Sequence, residues 1–280
     1  ARHRQLGGRK GLPDARPHLL GEVIEGVQVR QVREAAHEQG AATVGVVGLG
    51  GAAFPTSVKT NTAGGHGIDT LIVNAAECEP YITCDDRLMR EQAADVVDGI
   101  AILRHMVGAQ RCLIGIEDNK PEAADALRTA IAAAGADIEV AVVPSVYPSG
   151  GEKQLIRLLT GAEVPSQGLP SAIGILCQNV ATVAAVADAV LRGKPLTSRI
   201  VTVTGAGIRA PGNFRVALGT PAEHLVKAAG GYTDDCANLV LGGPMMGFAL
   251  HDDGVPITKG ANCLLARTTA ELPASGIERP

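Results

Sequence analysis

Short β-branched runs alternate with stretches of helical period along most of this chain, and that alternation limits the possible folds more than any other feature. Apolar residues recur at helical spacing over Leu19–Glu38, Arg87–Met106, Pro121–Ala134, Glu152–Leu159 and Val180–Leu191. Candidate strands lie at Val44–Val47, Thr70–Asn74, Cys112–Ile116, Ile138–Val143 and Ile173–Cys177. Strands separated by helices form parallel neighbours joined by crossovers, so the pattern predicts an α/β fold, a Rossmann-like parallel sheet with flanking helices. Local punctuation agrees: Asp118-Asn119-Lys120-Pro121 sets a proline in the first helical turn, and Gly135 closes that helix.

Near Gly193-Lys194-Pro195-Leu196 the texture changes. The runs "RIVTVTG", "FRVAL" and "NLVLGG" follow with a single helix, Pro221–Ala229, which predicts a small α+β domain. The expected organisation is a basic tail over 1–18, a nucleotide-binding domain over 19–197, a second domain over 198–268 and a linker over 269–280. The final "ARTTAELPASGIERP", polar and with two prolines, reads as that linker.

Charge and cysteines narrow the function. A formal net charge of -4 argues against a general nucleic-acid binder. The cluster Arg2, Arg4, Arg9, Lys10 and Arg16 is either a solvated tail or a contact for an anionic surface. No segment reaches the roughly 18 to 20 apolar residues that cross a bilayer. Cys78, Cys84, Cys112, Cys177, Cys236 and Cys263 include no Cys-x-x-Cys pair, which fits a reducing cytoplasm and leaves no ferredoxin-type cluster or common metal spacing.

Four stretches could carry chemistry. In "GVVGLGGAAFPTSVKTN", Gly48, Gly50 and Gly51 offer bare amides, Lys59 a cation and Phe54 a ring, either for a phosphate and a flat cofactor or merely as a tight turn. In "NAAECEPYITCDDRLM", Asn74 at a strand end either meets a heteroaromatic edge or closes a turn, with Glu77 and Glu79 flanking Cys78. In "YPSGGEKQL", Tyr147, Gly150, Gly151 and Glu152 either hold ribose or nicotinamide groups or only start a helix. In "CQNVATV", Gln178 and Asn179 either face a ligand or cap the next helix. All four follow predicted strands and would gather at one sheet edge. The chain has no Trp, three Phe and three Tyr, and half of these aromatics (Phe54, Tyr81 and Tyr147) lie in those turns. A flat cofactor with a phosphate tail explains rings, amides and Lys59 together.

Those stretches, with "GIEDNKPEA" and "LGGPMMGF", resemble the family of the C subunit of the Rnf (Rsx) ion-translocating electron-transport complex, from about residue 45 to 265. That family is similar to the NADH-binding flavoprotein subunit of respiratory complex I. The resemblance implies an FMN-binding Rossmann-like domain followed by a soluble-ligand-binding β-grasp (SLBB) domain. It also implies electron transfer from NADH through FMN to 4Fe-4S clusters, in partnership with the other Rnf subunits and with NADH or a ferredoxin. A peripheral position on the cytoplasmic face of the bacterial inner membrane follows.

By resemblance, Gly48, Gly50, Gly51 and Lys59 match the flavin and nucleotide loop, and Phe54 a ring stacked on the dinucleotide. Asn74 and Glu77 match residues lining the isoalloxazine; Tyr147, Gly150, Gly151 and Glu152 the second flavin and NADH loop; Asn179 an asparagine near the flavin phosphate. None of these is an acid/base catalyst. Leu49, Ala53 and Ala76 stand where the complex I relative has arginine, glycine and aspartate. The 4Fe-4S clusters are expected in a longer protein and not ligated by this chain, which reads as a fragment. The rival expectation is a non-catalytic scaffold with a degenerate flavin site.

Overall fold

A computed structural model of the chain describes residues 45–64 and 67–272. The expected helix over Leu19–Glu38, the basic tail and most of the expected linker lie outside the described residues. A short helix, α1 (Thr56–Gly64), precedes the first strand, β1 (Thr70–Ala75). Then come α2 (Cys84–Val107), β2 (Arg111–Glu117), α3 (Pro121–Ala134), β3 (Glu139–Val143), α4 (Glu152–Thr160), β4 (Ile175–Asn179) and α5 (Val180–Arg192). The four strands form one parallel sheet in the order β3-β2-β1-β4.

Helices cover both faces of this sheet, which is why its central strands read as unbroken apolar runs. Leu71, Val73, Ile114 and Ile116 pack under α2, α3 and α5, while Ile72, Leu113 and Val143 pack on Leu155 and Ile156 of α4. Two glycines let these helices come close. A Cβ on Gly99 would lie 2.0 Å from Val183 O, so α2 and α5 meet backbone to backbone. A Cβ on Gly115 would lie 2.8 Å from Leu155 Cδ1.

The expected strand over Val44–Val47 does not form within the described residues. Gly45 takes φ +64, and Val47 makes only an isolated antiparallel bridge to Pro55. Gly48 N donates to Phe54 O at 2.8 Å and Ala53 N to Gly48 O at 3.1 Å, so the segment closes on itself rather than joining the sheet. The last strand starts later than expected because Pro170–Ile173 is a 3-10 turn ending at Gly174, φ +71.

The second unit comprises β5 (Ser198–Thr204), β6 (Gly212–Ala217), α6 (Ala222–Ala228), β7 (Cys236–Leu241), β8 (Phe248–Leu250) and β9 (Cys263–Thr268). Its sheet runs β6-β5-β9-β7-β8, with β5 and β9 parallel and the other pairs antiparallel. The central strand β9 ends at Thr268, so Ala266–Thr268 belong to the core of this sheet and not to a linker. Ile82 and Cys84 join Val240, Cys263 and Leu265 in one apolar cluster, and Thr83 N donates to Thr202 Oγ1 at 3.1 Å. This seam seats the second unit over the start of α2.

Candidate functional site

The carboxyl ends of β1, β3 and β4 lead into Asn74–Glu77, Tyr147–Gly151 and Asn179, on the edge where open α/β sheets receive ligands. With the Gly50–Ala53 loop they border one cavity of about 1060 Å³. Its opposite wall comes from the second unit, through Leu241–Gly243, Met246–Phe248 and Thr258–Asn262.

Gly50, Gly51, Asn74 and Glu77 line this cavity, as do Tyr147, Gly150, Gly151 and Asn179. Gly48, Phe54, Lys59 and Glu152 do not. Gly48 closes the first loop from behind, and the Phe54 ring is half exposed. Lys59 is ion-paired with Glu152 and donates to Cys177 O at 2.6 Å, so this cation ties α1 to α4 and to the last strand instead of facing the cavity.

Side-chain amides hold the loops in place. Asn74 Nδ2 donates to Gly150 O at 2.8 Å and its Oδ1 accepts from Ala76 N at 3.2 Å, which joins the first and third strand ends. Asn179 Oδ1 caps α5 by accepting from Ala181 N at 3.0 Å and Thr182 N at 3.2 Å. Its Nδ2 donates to Asp85 Oδ2 at 2.6 Å. Glycine matters at the contact points: a Cβ on Gly150 would lie 2.8 Å from Cys78 Sγ, and one on Gly50 would lie 3.3 Å from Asn179 Nδ2.

Glu77 adopts φ +52, and its carboxylate accepts from Asp85 N at 2.6 Å and Asp86 N at 3.0 Å at the head of α2. Burial first, then the Asp85 charge, pushes its pKa up to about 8, against the two N–H groups and Lys120. Burial also raises Asp85, opposed by Asn179, Arg199 and Lys120. Glu77, Cys84 and Asp85 bring ligand atoms within 4.8 Å of one another, but the two carboxylates are already engaged by the α2 N–H groups and by Asn179.

Sequence reasoning missed how much the second unit contributes. Glu79 crosses the seam and accepts from Met245 N at 2.7 Å and Met246 N at 2.9 Å. Gly243 makes room for it, since a Cβ there would lie 2.0 Å from Glu79 Cγ. The bare "LGGPMMGF" turn was the visible signal; its partner was not.

Residues 41–188 match the Nuo51 FMN-binding domain family, and residues 200–249 match the SLBB domain family. The chain is 47% identical over 232 residues to the C subunit of the ion-translocating oxidoreductase complex of Rhodobacter capsulatus, covering 83% of this chain and 45% of that protein. It is 52% identical over 228 residues to the protein of that name from Erwinia tasmaniensis, covering 81% and 28%. With that from Salmonella typhimurium it shares 48% over 271 residues, covering 97% and 35%. The chain therefore spans less than half the length of these relatives. Among solved structures, an NAD+-reducing NiFe-hydrogenase in the H2-reduced state shares the fold, with a TM-score of 0.71 and 21% identity over 88% of this chain and 50% of that one.

Proposed function

Because the chain belongs to the Nuo51 FMN-binding family, alongside the C subunits of ion-translocating oxidoreductase complexes, we propose that it binds FMN in the seam cavity and serves as an electron-input module for NADH. The observation that carries this reading is the convergence of Gly50, Asn74, Gly150 and Asn179 on one space. The residues fit the cofactor. The cavity lies just above the roughly 300 to 1000 Å³ of small-molecule sites, with room for a tricyclic ring and a second ring beside it. The N–H groups of Gly50, Gly51 and Ala52 donate to no protein acceptor among the described residues, which leaves them for a ligand.

In this reading Gly50, Gly51 and Asn179 hold the phosphate side, while Asn74 and Glu77 line the ring. Tyr147, Gly150 and Gly151 form the facing loop, and the exposed Phe54 meets the dinucleotide. Gly48, Lys59 and Glu152 act indirectly by bracing the first loop and α1. Bound FMN supplies two-electron acceptance from a nicotinamide and one-electron release. The protein's work is to orient the two rings face to face and to keep water out. Burial, and then the Asp85 charge, favour the protonated form of Glu77 at this wall.

The whole protein would then pass electrons to 4Fe-4S clusters in the part of its relatives that this chain does not span, and to the other subunits of the complex or a ferredoxin. Its place would be peripheral, on the cytoplasmic face of the inner membrane; no described helix is long and apolar enough to cross a membrane. The test is to expose the purified chain to FMN, then add NADH without oxygen. Retained flavin colour that NADH bleaches supports the reading. A chain that stays colourless after FMN exposure overturns it and leaves a docking scaffold.

A further inference from the structure

Arg199 of β5 is 4% exposed, yet its hydrogen bonds go to main-chain carbonyls: Nη2 to Leu49 O at 3.0 Å, Nη1 to Lys259 O, and Nε to Ile200 O at 3.3 Å. Carbonyls satisfy the fork, and the acidic groups that face its charge, Asp85 and Cys84, are buried and held toward their neutral forms. Two of them belong to loops from different domains that border the cavity on either side of the seam.

The consequence lies in the peptide planes. Among the described residues the sole cis bond is Tyr147-Pro148, so the 49–50 and 259–260 peptides are trans. In a trans peptide C=O and N–H point in opposite directions. Holding Leu49 O and Lys259 O on one guanidinium therefore turns the N–H groups of Gly50 and Gly260 away from it. Both residues line the cavity, and neither N–H has a protein acceptor among the described residues. The two loops also touch: a Cβ on Gly260 would lie 3.2 Å from Gly51 O. A cation on each carbonyl strengthens the N–H of the same peptide as a donor, and converging N–H groups make an anion nest. Lys259 Nζ itself is turned to Gly45 O at 2.5 Å.

We propose that Arg199 is the positioning residue of a two-domain phosphate cradle, in which Gly50 N–H and Gly260 N–H grip the phosphate monoester of the bound flavin nucleotide. This rests on the FMN reading and deepens it. The cationic role expected of Lys59 passes to an arginine that acts through two peptide bonds. A second-domain residue thereby becomes part of nucleotide recognition.

The test compares FMN with riboflavin, which lacks the phosphate, by fluorescence quenching on the full chain and its Arg199→Gln variant. The variant is expected to lose roughly tenfold or more in FMN affinity, the scale of one charge-assisted hydrogen bond, with riboflavin affinity unchanged. Unchanged FMN affinity, or equal loss for both flavins, overturns the proposal, since a purely structural role would weaken both alike. Should Arg199→Gln fail to fold, Gly260→Ala, which presses on Gly51 O, is expected to erase the same FMN preference, and its retention is equally fatal. Inorganic phosphate titrated into the wild-type chain separates the two readings. Joint shifts of the Gly50 and Gly260 amide resonances in NMR support the cradle even if FMN is not bound, whereas an unmoved pair overturns it even if FMN is.

Discussion

Asn179 Nδ2 donates to Asp85 Oδ2 at 2.6 Å, joining the N-cap of α5 to the first turn of α2 across the end of the parallel sheet. Its Oδ1 accepts from Ala181 N and Thr182 N, so one side chain fixes two helix starts, and both border the cavity. Sequence left Asn179 with two readings, ligand contact or helix cap. The cap is present, and one of the two amide N–H donors goes to a buried carboxyl.

Replacing Asn179 with alanine removes the cap and strips Asp85 of its amide partner. A loss of about 2 kcal/mol in folding stability is expected, at the upper end for a cap because a buried acceptor is orphaned as well. Urea denaturation measures it. A midpoint unchanged from wild type would show that Asn179 does not hold the two helices.

The raised pKa of Glu77 makes stability depend on pH in a definite direction. Unfolded, its carboxyl has the ordinary value of 4.5; folded, about 8. Between those values the folded chain keeps a proton that the unfolded chain has released. The contribution is therefore full below 4.5 and is lost as pH rises through 8, with a slope of up to about 1.4 kcal/mol per pH unit. Glu77→Gln should flatten the decline in that window. Denaturation curves across it that superpose for wild type and variant would contradict the assignment.

At the crossing of α2 and α5, Gly99→Ala would drive a methyl to 2.0 Å from Val183 O. Backbone cannot yield as a flexible side chain does, so the helices must part. A destabilisation of roughly 3 kcal/mol is expected by thermal or chemical unfolding, at the top of the usual range for overpacking. A variant as stable as wild type would mean that the two helices are not in backbone contact.

Much of this architecture was legible in the sequence, for physical reasons. The helix Pro121–Ala134 matched its expected bounds because proline at its start and Gly135 at its end act within a turn of chain. The strands could be read because burial on both faces demands continuous apolar runs. Val44–Val47 misled because a β-branched run carries no information about whether a sheet neighbour exists; Gly45 and the Gly48–Phe54 bonds fold it back instead. The pairing of Lys59 with Glu152 could not be read, because the two lie 93 residues apart. The second-domain wall, with Glu79 held by Met245 and Met246 and with Arg199 behind the first loop, depends on docking between units, which leaves no periodic trace in either.

FMN binding to the wild-type chain and to Gly50→Val, followed by flavin fluorescence quenching, bears most directly on the central claim. A Cβ at this position already lies 3.3 Å from Asn179 Nδ2, and valine's branches would fill the space where main chain meets ligand. The wild-type chain should bind one FMN, and Gly50→Val should lose it while its circular dichroism stays unchanged. Equal FMN binding by both proteins, or none by the wild type, would contradict the cavity as a flavin site.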